Sequence, residues 1–185
     1  MPLETCNSQG KSVFHGELKV VDPATGIELP AGNVGEIVCT GPMTFTGYWN
    51  NPEATEAALV NGWYRTGDLG KKDEEGFVYV VDRLKDMIIS GGENIYPAEL
   101  ETVILSHEAV AEVAVVGRPD PKWGEIPRAY VVKKPDKEVA AEEIVQLCRE
   151  RLASYKCVKE VRFVDALPKN PVGKVLKTVL RAQEG

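Results

Sequence analysis

An α+β fold is predicted for this chain: a small β-rich portion followed by a compact α+β domain. Short β-branched runs and amphipathic helical stripes are mixed over short connections, which is the pattern of an α+β arrangement. Across 185 residues, 43% hydrophobic and 27% charged content supplies a real core and excludes wholesale disorder. No internal repeat or low-complexity tract breaks the pattern.

Glu17 to Val21 and Gly35 to Thr40 read as strands joined through Asp22-Pro23-Ala24-Thr25-Gly26, a turn signature. Gly41 to Asn51 is a Gly/Asn-rich connection. Pro52 to Leu59 then starts a short helix, with Pro in its first turn and Glu53 near its positive end. Trp63 to Leu69 and Phe77 to Val81 flank a hairpin tip, Lys71 to Gly76. The second domain opens with a helix over Pro97 to Ser106, whose Leu100, Val103 and Ile104 share one face. Strands follow over Val110 to Val116 and Ala129 to Val132, and a helix from about Val139 to Leu152 aligns Ile144, Leu147, Cys148 and Leu152. Val161 to Val164 is a further strand and Val175 to Arg181 a closing helix. The boundary falls at residues 83 and 84, giving a β-rich part over 1–83 and a compact α+β domain over 84–185.

A net charge of -6 without a clustered basic stripe argues against a nucleic-acid partner, because phosphate neutralisation needs concentrated Lys and Arg. No apolar run approaches the roughly 20 residues of a membrane helix, and the N-terminus carries no secretory or lipidation pattern. A cytoplasmic protein is expected. Cys6, Cys39, Cys148 and Cys157 form no C-x-x-C and the only histidines are His15 and His107, so no zinc site is expected and no chemistry is assigned to a cysteine.

Four polar, glycine-bearing stretches suit neither neighbouring element: Tyr64-Arg65-Thr66-Gly67-Asp68, Asp82-Arg83-Leu84-Lys85-Asp86, Ser90-Gly91-Gly92-Glu93-Asn94 and Pro168-Lys169-Asn170-Pro171-Val172-Gly173-Lys174. Singly, each also fits a plain role: a turn acid, a surface ion pair, a positive-φ turn, a solvated lysine. Pro168 and Val175 exclude a Walker-type phosphate loop around Gly173-Lys174.

Taken in order with Gly47-Tyr48-Trp49-Asn50-Asn51-Pro52-Glu53-Ala54-Thr55, the motifs closely resemble the C-terminal third of the adenylate-forming acyl-CoA synthetases. The wording is most similar to the long-chain fatty-acid CoA ligases. The resemblance covers nearly the whole chain from about Gly16, while the first fifteen residues lie outside it. It implies two reactions at one site. A carboxylate attacks the α-phosphate of MgATP to give acyl-AMP and pyrophosphate, and the thiol of CoA then displaces AMP.

The resemblance also implies roles. Asp68 would accept both ribose hydroxyls, as an ionised, acceptor-only side chain can, and Arg83 would hold the same ribose. Lys174 would be the adenylation lysine, placed where negative charge crowds onto carboxylate and α-phosphate oxygens. Lys85 would be the hinge about which the small domain rotates. Gly91 and Gly92 would line the thiol channel, and Trp123 would either touch CoA or simply pack. Val172 departs from the Ser or Thr usual before the motif glycine. The family's phosphate loop, adenine motif and acyl pocket belong upstream, so the chain is expected to be a C-terminal fragment, inactive alone. ATP or AMP, CoA and Mg2+ are implied for the whole enzyme, with none held tightly here. A stand-alone binding or regulatory module built on the lid, and a ligand-free relic, are the other readings.

Overall fold

The computed structural model describes residues 8–183 and divides the chain into two compact units, the second starting at Asp86. The first holds strands β1 (Glu17–Val21) and β2 (Gly35–Thr40), helix α1 (Pro52–Ala58), and strands β3 (Leu59–Val60), β4 (Trp63–Lys72) and β5 (Val78–Arg83). All pair antiparallel in the order β1-β2-β4-β3, with β5 also on β4. Local chemistry sets the connections. Asp22 Oδ1 accepts from the amides of Ala24 and Thr25 at 3.0 and 2.8 Å, closing the predicted turn as an Asx turn. Asn51 Oδ1 caps α1 through the Ala54 amide at 3.1 Å, with Pro52 in the first turn. Asp73 accepts from the Phe77 amide at 2.8 Å at the predicted hairpin tip. Val20, Val21, Ile37, Val38, Leu69 and Val78 are buried.

The second unit runs β6 (Ile88–Ser90), β7 (Glu93–Ile95), α2 (Pro97–Leu105), β8 (Val110–Asp120), β9 (Gly124–Lys133), α3 (Ala141–Arg151), β10 (Glu160–Phe163) and α4 (Lys177–Ala182). Strand β9 is central: β8 pairs it antiparallel, β10 parallel, and β6 meets it at Ser90–Gly124. Both faces of this sheet are covered, which explains the unbroken apolar run in β8. Val113, Val115, Ala129 and Val131 pack with Leu100 and Ile104 of α2 and Ile144 and Cys148 of α3. Their neighbours Ala114, Val116 and Tyr130 point the other way, against Leu167 and Leu180 of the closing segment, as the two-residue strand period requires.

The structure corrects several element boundaries. Strands β8 and β9 extend through Asp120 and from Gly124, past Pro119 and Pro127. The closing helix starts at Lys177 rather than Val175, because Val175 bridges back to Lys169. The short strands β3, β6 and β7 have no counterpart in the sequence reading. Among the described residues no helix is long and apolar enough to cross a membrane.

Because this unit has its own two-sided core, residues 84–185 expressed alone are expected to fold. Circular dichroism with cooperative urea unfolding checks this, and a protease-sensitive, unfolded product would contradict it.

Candidate functional site

Asp68 and Arg83 are brought together. They are directly opposed register partners on β4 and β5, and Arg83 Nε lies 2.6 Å from Asp68 Oδ1. Both side chains stay partly open, at 30% and 48% exposure, so the pair retains acceptor and donor capacity towards solvent. Two residues on, Lys85 lies in the 3-10 turn Leu84–Asp86, at the division between the two units.

In the second unit, β6 and β7 form a three-rung hairpin closed by Gly91 and Gly92. Their φ values of 60° and 88° match the two-residue turn that needs left-handed backbone at both central positions. Trp123 lies across this turn. The Gly91 amide donates to the Trp123 carbonyl at 2.8 Å, and a Cβ on Gly91 would fall 2.8 Å from Trp123 Cε3. At Gly92 a Cβ would meet nothing within 4 Å. Trp123 itself is held by an Asx turn, since Asp120 Oδ1 accepts from the amides of Lys122 and Trp123 at 2.9 Å each, and the ring is 45% exposed.

Lys174 stands on a tight loop of the same unit. Asn170 organises it: its amide donates to the Lys174 carbonyl at 2.9 Å, and its Oδ1 accepts from the amides of Lys174 and Val172 at 2.8 and 3.2 Å. The loop's two ends are tied down. Lys169 pairs with Glu112 at 2.6 Å, Lys177 with Glu101 at 2.7 Å and Arg181 with Asp86 at 2.8 Å, while the Tyr130 hydroxyl donates to the Leu180 carbonyl at 3.2 Å. Lys174 is exposed and forms no ion pair with a described residue. The arrangement presents a solvated ammonium from a hydrogen-bonded turn.

Two buried ionic groups were not singled out by the sequence. Glu36, 2% exposed, accepts from Arg65 Nε at 2.8 Å and also from Arg65 Nη2. Arg128, also 2% exposed, donates to Glu160 Oε2 from Nε at 2.7 Å, and Arg118 donates to the other oxygen of Glu160. An acid or arginine inside a β-branched run was the available signal. Cys148 is buried, as its helical stripe predicts, and burial pushes the thiols of Cys148 and Cys39 up, which disfavours the reactive thiolate. Cys6 lies outside the described residues.

Comparison with known proteins identifies this combination. Residues 99–174 match the family model for the AMP-binding enzyme C-terminal domain, and residues 1–49 match that for the AMP-binding enzyme itself. The chain belongs to the AMP-binding enzyme family. The match begins at residue 1, so it takes in the opening fifteen residues that the motifs left outside the resemblance. Among its relatives in the AMP-binding family, a putative acyl-CoA ligase, YdaB of Bacillus subtilis, is 50% identical over 183 residues, 99% of this chain and 36% of the relative. The long-chain-fatty-acid–CoA ligase FadD13 of Mycobacterium tuberculosis is 57% identical over 149 residues, 80% of this chain and 29% of the relative. Among solved structures, the Bacillus subtilis o-succinylbenzoate CoA synthetase with its acyl-adenylate intermediate superimposes with a TM-score of 0.87 at 47% identity, over 98% of this chain and 36% of that one. The chain thus spans about a third of the length of the AMP-binding relatives it matches.

Proposed function

We propose that this chain supplies the ribose-holding strand pair and the mobile lid of an acyl-CoA synthetase. The enzyme would convert a carboxylate and ATP to acyl-AMP and pyrophosphate, then pass the acyl group to the thiol of CoA. The observation that carries the reading is the Asp68–Arg83 pair, fixed at 2.6 Å between adjacent strands yet open on one side. An acceptor-only carboxylate beside a guanidinium suits a ribose diol, whose hydroxyls donate to the first and accept from the second. Residues 1–83 would then close the AMP-binding domain and residues 84–185 would be the lid, with Lys85 absorbing the rotation between the two reactions.

Lys174 would stabilise the charge that builds on the carboxylate and α-phosphate during adenylation. The open space over Gly92 fits a slender thiol arm, with Trp123 as its neighbouring wall. Among the described residues no group of three or more His, Cys, Asp or Glu gathers as a metal-ligand set, so no residue here is assigned to Mg2+. A fatty-acyl substrate is favoured by the likeness of the motifs to the long-chain fatty-acid CoA ligases, one of which is 57% identical over 149 residues, beside a 2-succinylbenzoate–CoA ligase that is 50% identical over 179. A cytoplasmic setting with small-molecule partners accords with this chemistry.

Replacing the matching segment of the Bacillus subtilis o-succinylbenzoate synthetase with this chain tests the reading. The chimera is expected to release pyrophosphate and form acyl-CoA. A folded chimera that binds ATP without turnover would leave only a binding module. The 185-residue chain alone is expected to release no pyrophosphate from MgATP and a fatty acid, since one lysine and one ribose acid do not position ATP for attack. Release above background would contradict that.

A further inference from the structure

Strand β4 leaves its ladder just before Asp68. Glu36 and Val38 of β2 are two residues apart, whereas their partners Leu69 and Arg65 on β4 are four apart, so β4 carries two extra residues. Such a bulge re-aims a side chain, and it strands backbone groups that the ladder would have paired. Here side chains take their place. Glu36 Oε1 accepts from the Gly67 amide at 3.2 Å, while Thr66 Oγ1 donates to the Ile37 carbonyl at 2.6 Å and accepts from the Asp68 amide at 3.1 Å. Arg65 locks the Glu36 carboxylate through Nε at 2.8 Å and through Nη2, and Nη2 reaches the Pro23 carbonyl at 2.8 Å. Glu36 is thus a buried anion whose one oxygen holds Arg65 and whose other oxygen holds the bulge.

We propose that Glu36, with Arg65 and Thr66, is a positioning residue for the ribose site: it shapes the bulge that presents Asp68 to Arg83 and the nucleotide. This rests on the ribose role of Asp68 given under Proposed function. Glu36 touches no ligand itself. Its effect is therefore expected in nucleotide discrimination and not in general affinity. Phosphate and base would bind as before, and only the advantage conferred by the ribose hydroxyls would fall.

The experiment titrates the chimera with the o-succinylbenzoate synthetase, which supplies the upstream part of the nucleotide site, with AMP and with its 2′,3′-dideoxy analogue by calorimetry. Wild type is expected to prefer AMP. Glu36→Gln, which keeps shape but weakens the charged acceptor, is expected to lower that preference about tenfold while leaving the dideoxy affinity unchanged, the size of one charge-assisted hydrogen bond. A merely structural role would weaken both nucleotides alike, and that outcome overturns the proposal. So does an unaltered AMP preference in the folded variant. If the Glu36→Gln chimera does not fold, the near-isosteric Thr66→Val decides, by the same ratio. A chimera with the unaltered chain that shows no preference for AMP would instead overturn the ribose reading, and the positioning role with it.

Discussion

Lys174→Ala in the chimera with the o-succinylbenzoate synthetase is expected to slow acyl-adenylate formation about a hundredfold to a thousandfold, while thioester formation from supplied acyl-AMP stays near wild type. The magnitude is that of removing one preorganised charge from a developing anion. The geometry explains why that charge is preorganised. Asn170 holds both the amide and the carbonyl of Lys174, and ion pairs at Lys169 and Lys177 anchor the strands of chain on either side. The cation is thus delivered by a turn with little freedom to lose, although its own side chain remains solvated.

Gly92→Leu is expected to do the reverse. Gly92 has φ at 88° and nothing within 4 Å of a Cβ there, so a leucine strains the left-handed turn without its Cβ striking its own unit, and Gly92→Ala, which carries the same strain without the bulk, is the control. The leucine's obstruction would fall on an arriving thiol arm and spare adenylation. Gly91 is unsuitable for the same test, since its Cβ would collide with Trp123. Pyrophosphate release and acyl transfer from synthetic acyl-AMP, measured separately, check the pair of variants. Equal losses in both half-reactions for either variant would mean that Lys174 and Gly92 do not serve different steps.

Much of the fold was legible because its signals are local. Pro52 after Asn51 starts α1, Asp22 and Asp73 make turns within four residues, and Ile144 and Cys148 mark the buried stripe of α3. Signals failed where they were too short or non-local. Three residues of Ile88–Ser90 carry too little periodicity to announce a strand, and their hairpin exists because Gly91 and Gly92 turn the chain. Pro119 and Pro127 hid the outer ends of β8 and β9, since proline donates nothing to a ladder. At the site, the motif residues Asp68, Arg83, Gly91 and Lys174 stood out by composition. Glu36 did not, because its partner Arg65 lies 29 positions away and only strand pairing reveals that the two meet.

Arg128 and Glu160 escaped notice for the same reason, lying 32 positions apart, and they carry the largest expected effect on stability. Glu160→Ala is expected to destabilise the second unit by about 2–3 kcal/mol, because it takes from a guanidinium that is 2% exposed the carboxylate oxygen that accepts from its Nε and Nη2. For a domain of this size that is a drop in melting temperature on the order of 10 °C or more. Arg118, the other partner of Glu160, is 41% exposed and can turn to water, so Arg128 is the source of the cost. The loss would spread to the lysine loop. Arg128 borders the Tyr130 hydroxyl, which donates to the Leu180 carbonyl at 3.2 Å and fixes α4 behind Lys174. Arg128→Met discriminates this account from a simple count of lost contacts: it removes the buried charge along with its bonds and fills a comparable volume, so its cost is expected to stay within about 1–2 kcal/mol. Urea unfolding of residues 84–185 for both variants measures the difference, and a Glu160→Ala variant no less stable than Arg128→Met would show that burial of the guanidinium is not what the pair opposes.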